Sequence, residues 1–238
     1  MPPERRLNVA VFGKHPGFGD FLSAGDLPGG GTQLLMDWIT LTLGGWRKTA
    51  GPDWQQVFDA APALRFWVGA GPGNGVAIQG VAIASRDRSG RRFPLIVAQG
   101  PAGPAPVAAT DQSFYEAAEA ELISLRALER FDPRETAALL AAALPQPGEP
   151  HPAGGAAFWA TNPMRAPQDL LAELAGADFS HAQAGRSYWW FGAKPEQGLP
   201  SGLLAGPGLP GPAEMGWLLS GGRPPALPES APPDEAPA

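Results

Sequence analysis

The chain has 238 residues and a formal charge of −6, with 32 Gly, 29 Pro, 44% hydrophobic residues, 8 Trp and 11 Phe. So many large apolar groups exclude uniform disorder, and the Gly and Pro content calls for long loops around a folded body. The absence of Cys excludes disulfides, thiol catalysis and Cys-ligated metals. Three His offer little for a His-rich metal cage, so neither metal nor cofactor is expected. The acidic balance argues against nucleic acid as the main partner.

The first residues, Met1-Pro2-Pro3-Glu4-Arg5-Arg6, lead into no long apolar run, so no secretion signal is expected. No apolar stretch approaches 18 residues, and membrane insertion is not expected. Residues 7–13 read as a buried strand: short, β-branched, aromatic and ended by Gly. Residues 14–31 are Gly-rich and read as a loop. A helix is predicted from Thr32 to Lys48, with Thr32 as N-cap and Leu34, Leu35, Trp38, Leu41 and Trp46 near one face. A shorter helix over 52–60 would turn Trp54, Val57 and Phe58 inward.

Three strands follow in close succession, at 63–69, 76–84 and 93–98. The breaks between them are short, which predicts an antiparallel meander. Residues 100–110 read as a Pro/Ala linker. Ser113–Arg130 is an amphipathic helix, with Phe114, Ala118, Leu122, Leu125 and Leu128 at steps of three and four. Asp132-Pro133 opens another helix running to Leu144, with Asp as cap and Pro in the first turn. Further on, 156–160 reads as a strand, 167–175 as a helix and 185–192 as an aromatic strand. A last helical turn is predicted near Glu214–Leu219, followed by a Pro-rich tail. The expected architecture is a single-domain α/β sandwich over 7–220, a mixed or antiparallel sheet covered by helices. A flexible N-terminus (1–6) and a disordered tail (221–238) would flank it.

Three segments carry candidate chemistry. The first is Gly13-Lys14-His15-Pro16-Gly17-Phe18-Gly19-Asp20-Phe21. A Gly-rich loop after a strand can offer backbone N–H groups to a phosphate. A P-loop, however, needs Gly-Lys-Ser/Thr opening a helix. Here Asp20 follows the last Gly, and its charge repels a phosphate. The bland alternative is a tight loop whose Lys14 and Asp20 pair with neighbours. The second is Ser85-Arg86-Asp87-Arg88-Ser89-Gly90-Arg91-Arg92, the densest charge in the chain. It reads as a solvated hairpin turn with Gly90 at positive φ, or as a surface whose guanidinium forks read anions. Ser85 and Ser89 lack the Gly-x-Ser-x-Gly elbow of a hydrolase. The third is Ser187-Tyr188-Trp189-Trp190. Adjacent strand residues face opposite ways, so one Trp enters the core while the other meets a helix or a partner. No pair of carboxylates stands at a spacing that suggests acid–base catalysis.

Five of these segments occur in an order that resembles the TagF/ImpM family of type VI secretion systems. They are Phe-Gly-Lys-x-Pro-x-x-Gly-Asp-Phe (12–21), the helix with Trp38 and Trp46, Ala-Pro-x-Leu-Arg-Phe (61–66), Asp-Arg-x-Gly-Arg-x-Phe-Pro (87–94) and Ser-x-Trp-Trp (187–190). The resemblance implies a cytoplasmic, non-enzymatic regulator. Such proteins repress the secretion machine after translation, through a forkhead-associated-domain scaffold protein of the same system. The matched polar residues are Lys14, Asp20, Arg65, Ser85, Asp87, Arg88 and Arg91. They are expected to converge where the first loop meets the 85–92 turn. Asp20 or Asp87 would there accept from Arg65, Arg88 or Arg91, either to lock the loops or to contact a partner. Trp189 and Trp190 are the aromatic candidates, for core or interface. The rival reading is a small-ligand or nucleotide-binding enzyme built on the loop 13–20 and the turn 85–92. A weaker third is a structural subunit of the machine.

Overall fold

The structure, a computed structural model, describes residues 8–149 and 183–223. Seven strands form one sheet in the order β2-β1-β5-β4-β3-β6-β7. These are β1 (Asn8–Gly13), β2 (Leu22–Ala24), β3 (Leu64–Val68), β4 (Ile78–Ile83), β5 (Leu95–Gly100), β6 (Arg186–Phe191) and β7 (Gly202–Pro207). Every pairing is antiparallel. The predicted meander is present as β3–β4–β5, and β1 adds to its far side through Phe12↔Ile96.

Among the described residues, helices cover both faces: α1 (Gly31–Thr49), α2 (Trp54–Asp59), α3 (Ser113–Ala127), α4 (Pro133–Ala143) and α5 (Pro212–Leu219). Strand alternation sends Ala10, Phe12, Phe66, Ile96 and Trp189 to the α1/α2/α5 side. Val9, Val11, Val81, Val97 and Leu95 go to the α3/α4 side. The sheet is thus buried on both faces, so its central strands are buried throughout rather than alternating, and their two polar side chains, Gln79 and Gln99, bond to each other.

Several local expectations are corrected. Thr32 does not cap α1: the helix begins at Gly31 after Gly30 in the left-handed region. The Thr32 hydroxyl instead accepts from the Leu27 N–H and donates to Asp26, tying down the entering chain. Leu35, Trp38 and Trp46 pack on the core as expected, but Leu41 is 77% exposed, and Ile39 and Leu43 are buried instead. The helix α3 stops at Ala127, so Leu128 is left 48% exposed. Asp132 does cap α4, accepting from the Arg134 and Glu135 N–H groups.

The segment 100–110 is no free linker. Ala102 and Ala105 are buried against Trp67 and Tyr188, and the Trp67 indole donates to the Gly103 carbonyl. Two strands had no sequence signal: β2 has three residues, and β7 (Gly-Leu-Leu-Ala-Gly-Pro) has no β-branched residue. Pairing with β6 defines β7, from Arg186↔Pro207 to Phe191↔Gly202. The predicted strand 156–160 and helix 167–175 lie outside the described residues, as do 1–6 and nearly all of the tail. Among the described residues no helix is long and apolar enough to cross a membrane.

Candidate functional site

The hairpin between β4 and β5 is built around one carboxylate. Asp87 Oδ1 accepts from the Ser89 N–H (3.0 Å), the Ser89 hydroxyl (2.7 Å) and the Arg91 N–H (3.0 Å). Oδ2 accepts from Arg91 Nε at 2.7 Å and pairs with Lys14 Nζ at 3.0 Å. An Asp followed by Ser-Gly closes such a turn because its side chain mimics a backbone carbonyl. Gly90 supplies the positive φ, 85°, that the turn requires. The main chain closes the hairpin through Asp87 N–H to Arg91 O and Phe93 N–H to Ser85 O.

Asp87 is buried, 2% exposed. Burial alone would raise its pKa. The hydrogen bonds from Ser89, Lys14 and Arg91 outweigh burial and hold it well below the usual carboxylate range.

The loop 14–21 is clamped onto this hairpin. Arg91 Nη2 donates to the Gly19 carbonyl at 2.9 Å, and the Arg88 N–H donates to the Phe18 carbonyl at 2.8 Å. At its other end, Gly13 (φ 123°) lies so close to Pro94 that a Cβ there would stand 2.0 Å from the Pro94 carbonyl oxygen. His15 anchors the middle. Its Nε2 donates to the Leu125 carbonyl (2.8 Å) and its Nδ1 accepts from the Gly17 N–H (3.0 Å). These partners fix the neutral tautomer protonated at Nε2. The ring is fully buried, edge-on to Phe18 and Phe131. Burial lowers its pKa, opposed in part by the bond to Leu125.

Four N–H groups of the loop, those of Lys14, Gly17, Phe18 and Phe21, are thereby bonded within the protein. This is a locked loop rather than an open phosphate cradle. Asp20 sits at its exposed end, with its carboxylate 3.9 Å from Arg91.

Lys14, Asp87 and Arg91 therefore come together, with Asp20 at the rim. The other expected members stand apart. Arg65 lies on the α3 side of β3, where its guanidinium donates to Glu119 (3.1 and 3.2 Å) and to Gln112 (3.1 Å). Strand parity is the reason: Leu64 and Phe66 enter the other core, so Arg65 must face α3. Gln112 Oε1 also accepts from the Trp190 indole at 2.9 Å. Trp190 is half-buried beside Arg65 in a hollow of about 450 Å3. Trp189 is core, stacked on Phe66 at 4.9 Å and bonded to the Ser187 hydroxyl. Arg88 contributes only its backbone: its exposed guanidinium has no partner among the described residues. Ser85 is buried, and its hydroxyl has no partner among the described residues.

Sequence reasoning missed three groups. Arg92 forms a two-pronged pair with Asp59 (2.6 and 2.8 Å), joining the hairpin to the end of α2. His15 was read only as a loop residue beside Pro16. Arg47, at the end of α1, stacks over the Trp54 ring at 4.1 Å. The dense Arg run signalled Arg92; nothing local in sequence joins Arg47 to the hairpin. Among the described residues no group of three or more His, Asp or Glu is placed to hold a metal ion.

An antiparallel α/β sandwich with an arginine-rich hairpin locked onto a Gly-rich loop defines the class. The TagF N-terminal domain, type VI secretion system-associated, matches residues 10–143, which contain both loop and hairpin. The chain belongs to this family, and its role is associated with type VI secretion. It is also similar to the crystal structure of PA0076 from Pseudomonas aeruginosa PAO1, at 29% identity and a TM-score of 0.69. That match covers 92% of this chain and 97% of the other. Comparison with curated proteins gave no match.

Proposed function

We propose that this chain is a cytoplasmic, post-translational repressor of type VI secretion that binds a forkhead-associated-domain scaffold protein of the same system. No catalytic step is assigned to it. The carrying observation is family membership over residues 10–143. The exposed Arg88 guanidinium, unpaired among the described residues, adds a contact group on a hairpin tied together by Asp87. The nucleotide-binding alternative is disfavoured because the Gly-rich loop spends its N–H groups internally.

Deletion of the gene tests the role. A repressor predicts more effector in the medium on deletion and less on overproduction. Loss of secretion on deletion would instead mark a structural subunit and overturn repression.

A further inference from the structure

A hollow of about 470 Å3 opens on one flank of the hairpin, lined by Lys14, Arg47, Trp54, Gln55, Ser89, Gly90, Arg91 and Arg92. Four of its lining residues are cations and none is a carboxylate. The carboxylates nearby are Asp87, bound by Lys14 and Arg91, and Asp59, bound by Arg92. Asp20 stands at the rim, 3.9 Å from Arg91. Four cations against three neighbouring carboxylates, Asp87, Asp59 and Asp20, leave one positive charge in excess, that of Arg47, in a chain whose net charge is −6. The charge is also held in place. Asp87 and Asp59 fix Lys14, Arg91 and Arg92, and the Trp54 ring carries Arg47 by cation–π contact. Arg47 has no carboxylate partner among the described residues. Cations already positioned lose little freedom when an anion arrives.

We propose that this hollow is a docking cradle for an acidic segment of a protein partner, carrying clustered carboxylates or a phosphorylated side chain. The inference rests on the interaction reading above and assigns that reading a surface. Guanidinium forks suit both kinds of anion. The volume exceeds what one small anion fills, which favours a chain segment over a free ion. A nucleotide is disfavoured because Trp54, the lining aromatic, already carries the Arg47 guanidinium over its ring. Arg47 and Arg92 lie 4.1 and 5.9 Å from its centroid, and Trp46 meets it edge-on. The chain's net negative charge disfavours nucleic acid and anionic membranes.

The test is calorimetric titration of the full chain with three probes: a Glu-rich octapeptide, an octapeptide with one phosphothreonine among Glu residues, and inorganic phosphate. At least one peptide should bind at least tenfold tighter than phosphate and weaken as salt rises. Arg47→Glu should lower that affinity tenfold or more, and Arg47→Ala less. Arg134→Glu, the same charge change on α4 across the sheet, should leave it within twofold. Melting curves verify that each variant folds. Equal loss in Arg134→Glu and Arg47→Glu would show diffuse charge only and overturn the cradle. So would phosphate binding as tightly as either peptide, or no binding by any probe. The same variants titrated with the scaffold separate the two readings. Scaffold binding untouched by Arg47→Glu overturns the cradle and leaves the interaction reading standing. Peptide binding by a chain that ignores the scaffold does the reverse.

Discussion

Two polar stations flank the sheet, and they are built differently. At the hairpin, one buried carboxylate collects five donors from three residues, all within reach of the β1 loop. On the α3 side, Arg65 donates twice to Glu119 and once to Gln112, which also accepts from Trp190, at the edge of an open hollow. The hairpin station is a lock: removing its centre strands two cations. The Arg65 station is a surface patch with a polar floor. Polar residues that travel together in a motif can thus serve separate structural jobs, and strand parity decides which.

The largest expected effect is at the lock. Asp87→Ala should destabilise by about 3–5 kcal/mol, because it removes the buried partner of half-buried Lys14 and frees the turn. Urea denaturation measures this, and a loss under 1 kcal/mol would show that the loop and hairpin hold without it. Next comes the other station. Arg65→Ala should cost only about 1 kcal/mol, since the Arg65–Glu119 pair keeps some contact with water. A cost equal to that of Asp87→Ala would erase the contrast between the stations. Arg88→Ala should stay within about 0.5 kcal/mol of wild type, because its exposed guanidinium has no partner among the described residues.

Acid should sharpen the comparison. Asp87 has a lowered pKa in the fold, so its contribution is complete near neutrality. It should fade as the pH falls below about 4, where the unfolded carboxylate takes up its proton first. His15 is also lowered, so the unfolded state binds its proton before the fold does, and stability should decline as the pH falls below about 6.5. Denaturation midpoints against pH should show both slopes. Asp87→Asn should flatten the lower one and His15→Gln the upper one. A profile unchanged in either variant would mean that group does not drive its slope.

Most of the architecture was legible in sequence. The meander, the Asp132 cap and the opposed Trp189 and Trp190 follow from turn chemistry and strand period. In α1 the pattern places Leu35, Trp38 and Trp46 on the core, but it cannot separate Leu41, which faces solvent, from Ile39 and Leu43, which are buried. The strand β7 was invisible because its residues carry no strand preference of their own, and β6 imposes its conformation. In the site, Asp87 and Arg91 were readable as a pair because one turn places them near each other, whereas Lys14 reaches Asp87 from the β1 loop through the fold. Arg47, Trp54 and Asp59 were not, because α1 and α2 bring them to the hairpin only through the fold.

The central claim is that this rigid hairpin serves an interaction. Its most direct test is calorimetric titration of the chain into the forkhead-associated scaffold of its own system, beside Arg88→Ala. Saturable 1:1 binding by wild type, weakened at least tenfold in an Arg88→Ala variant of unchanged stability, is the predicted result. No binding by a folded wild type would contradict the scaffold mechanism, and equal binding by the variant would remove the Arg88 guanidinium from the interface.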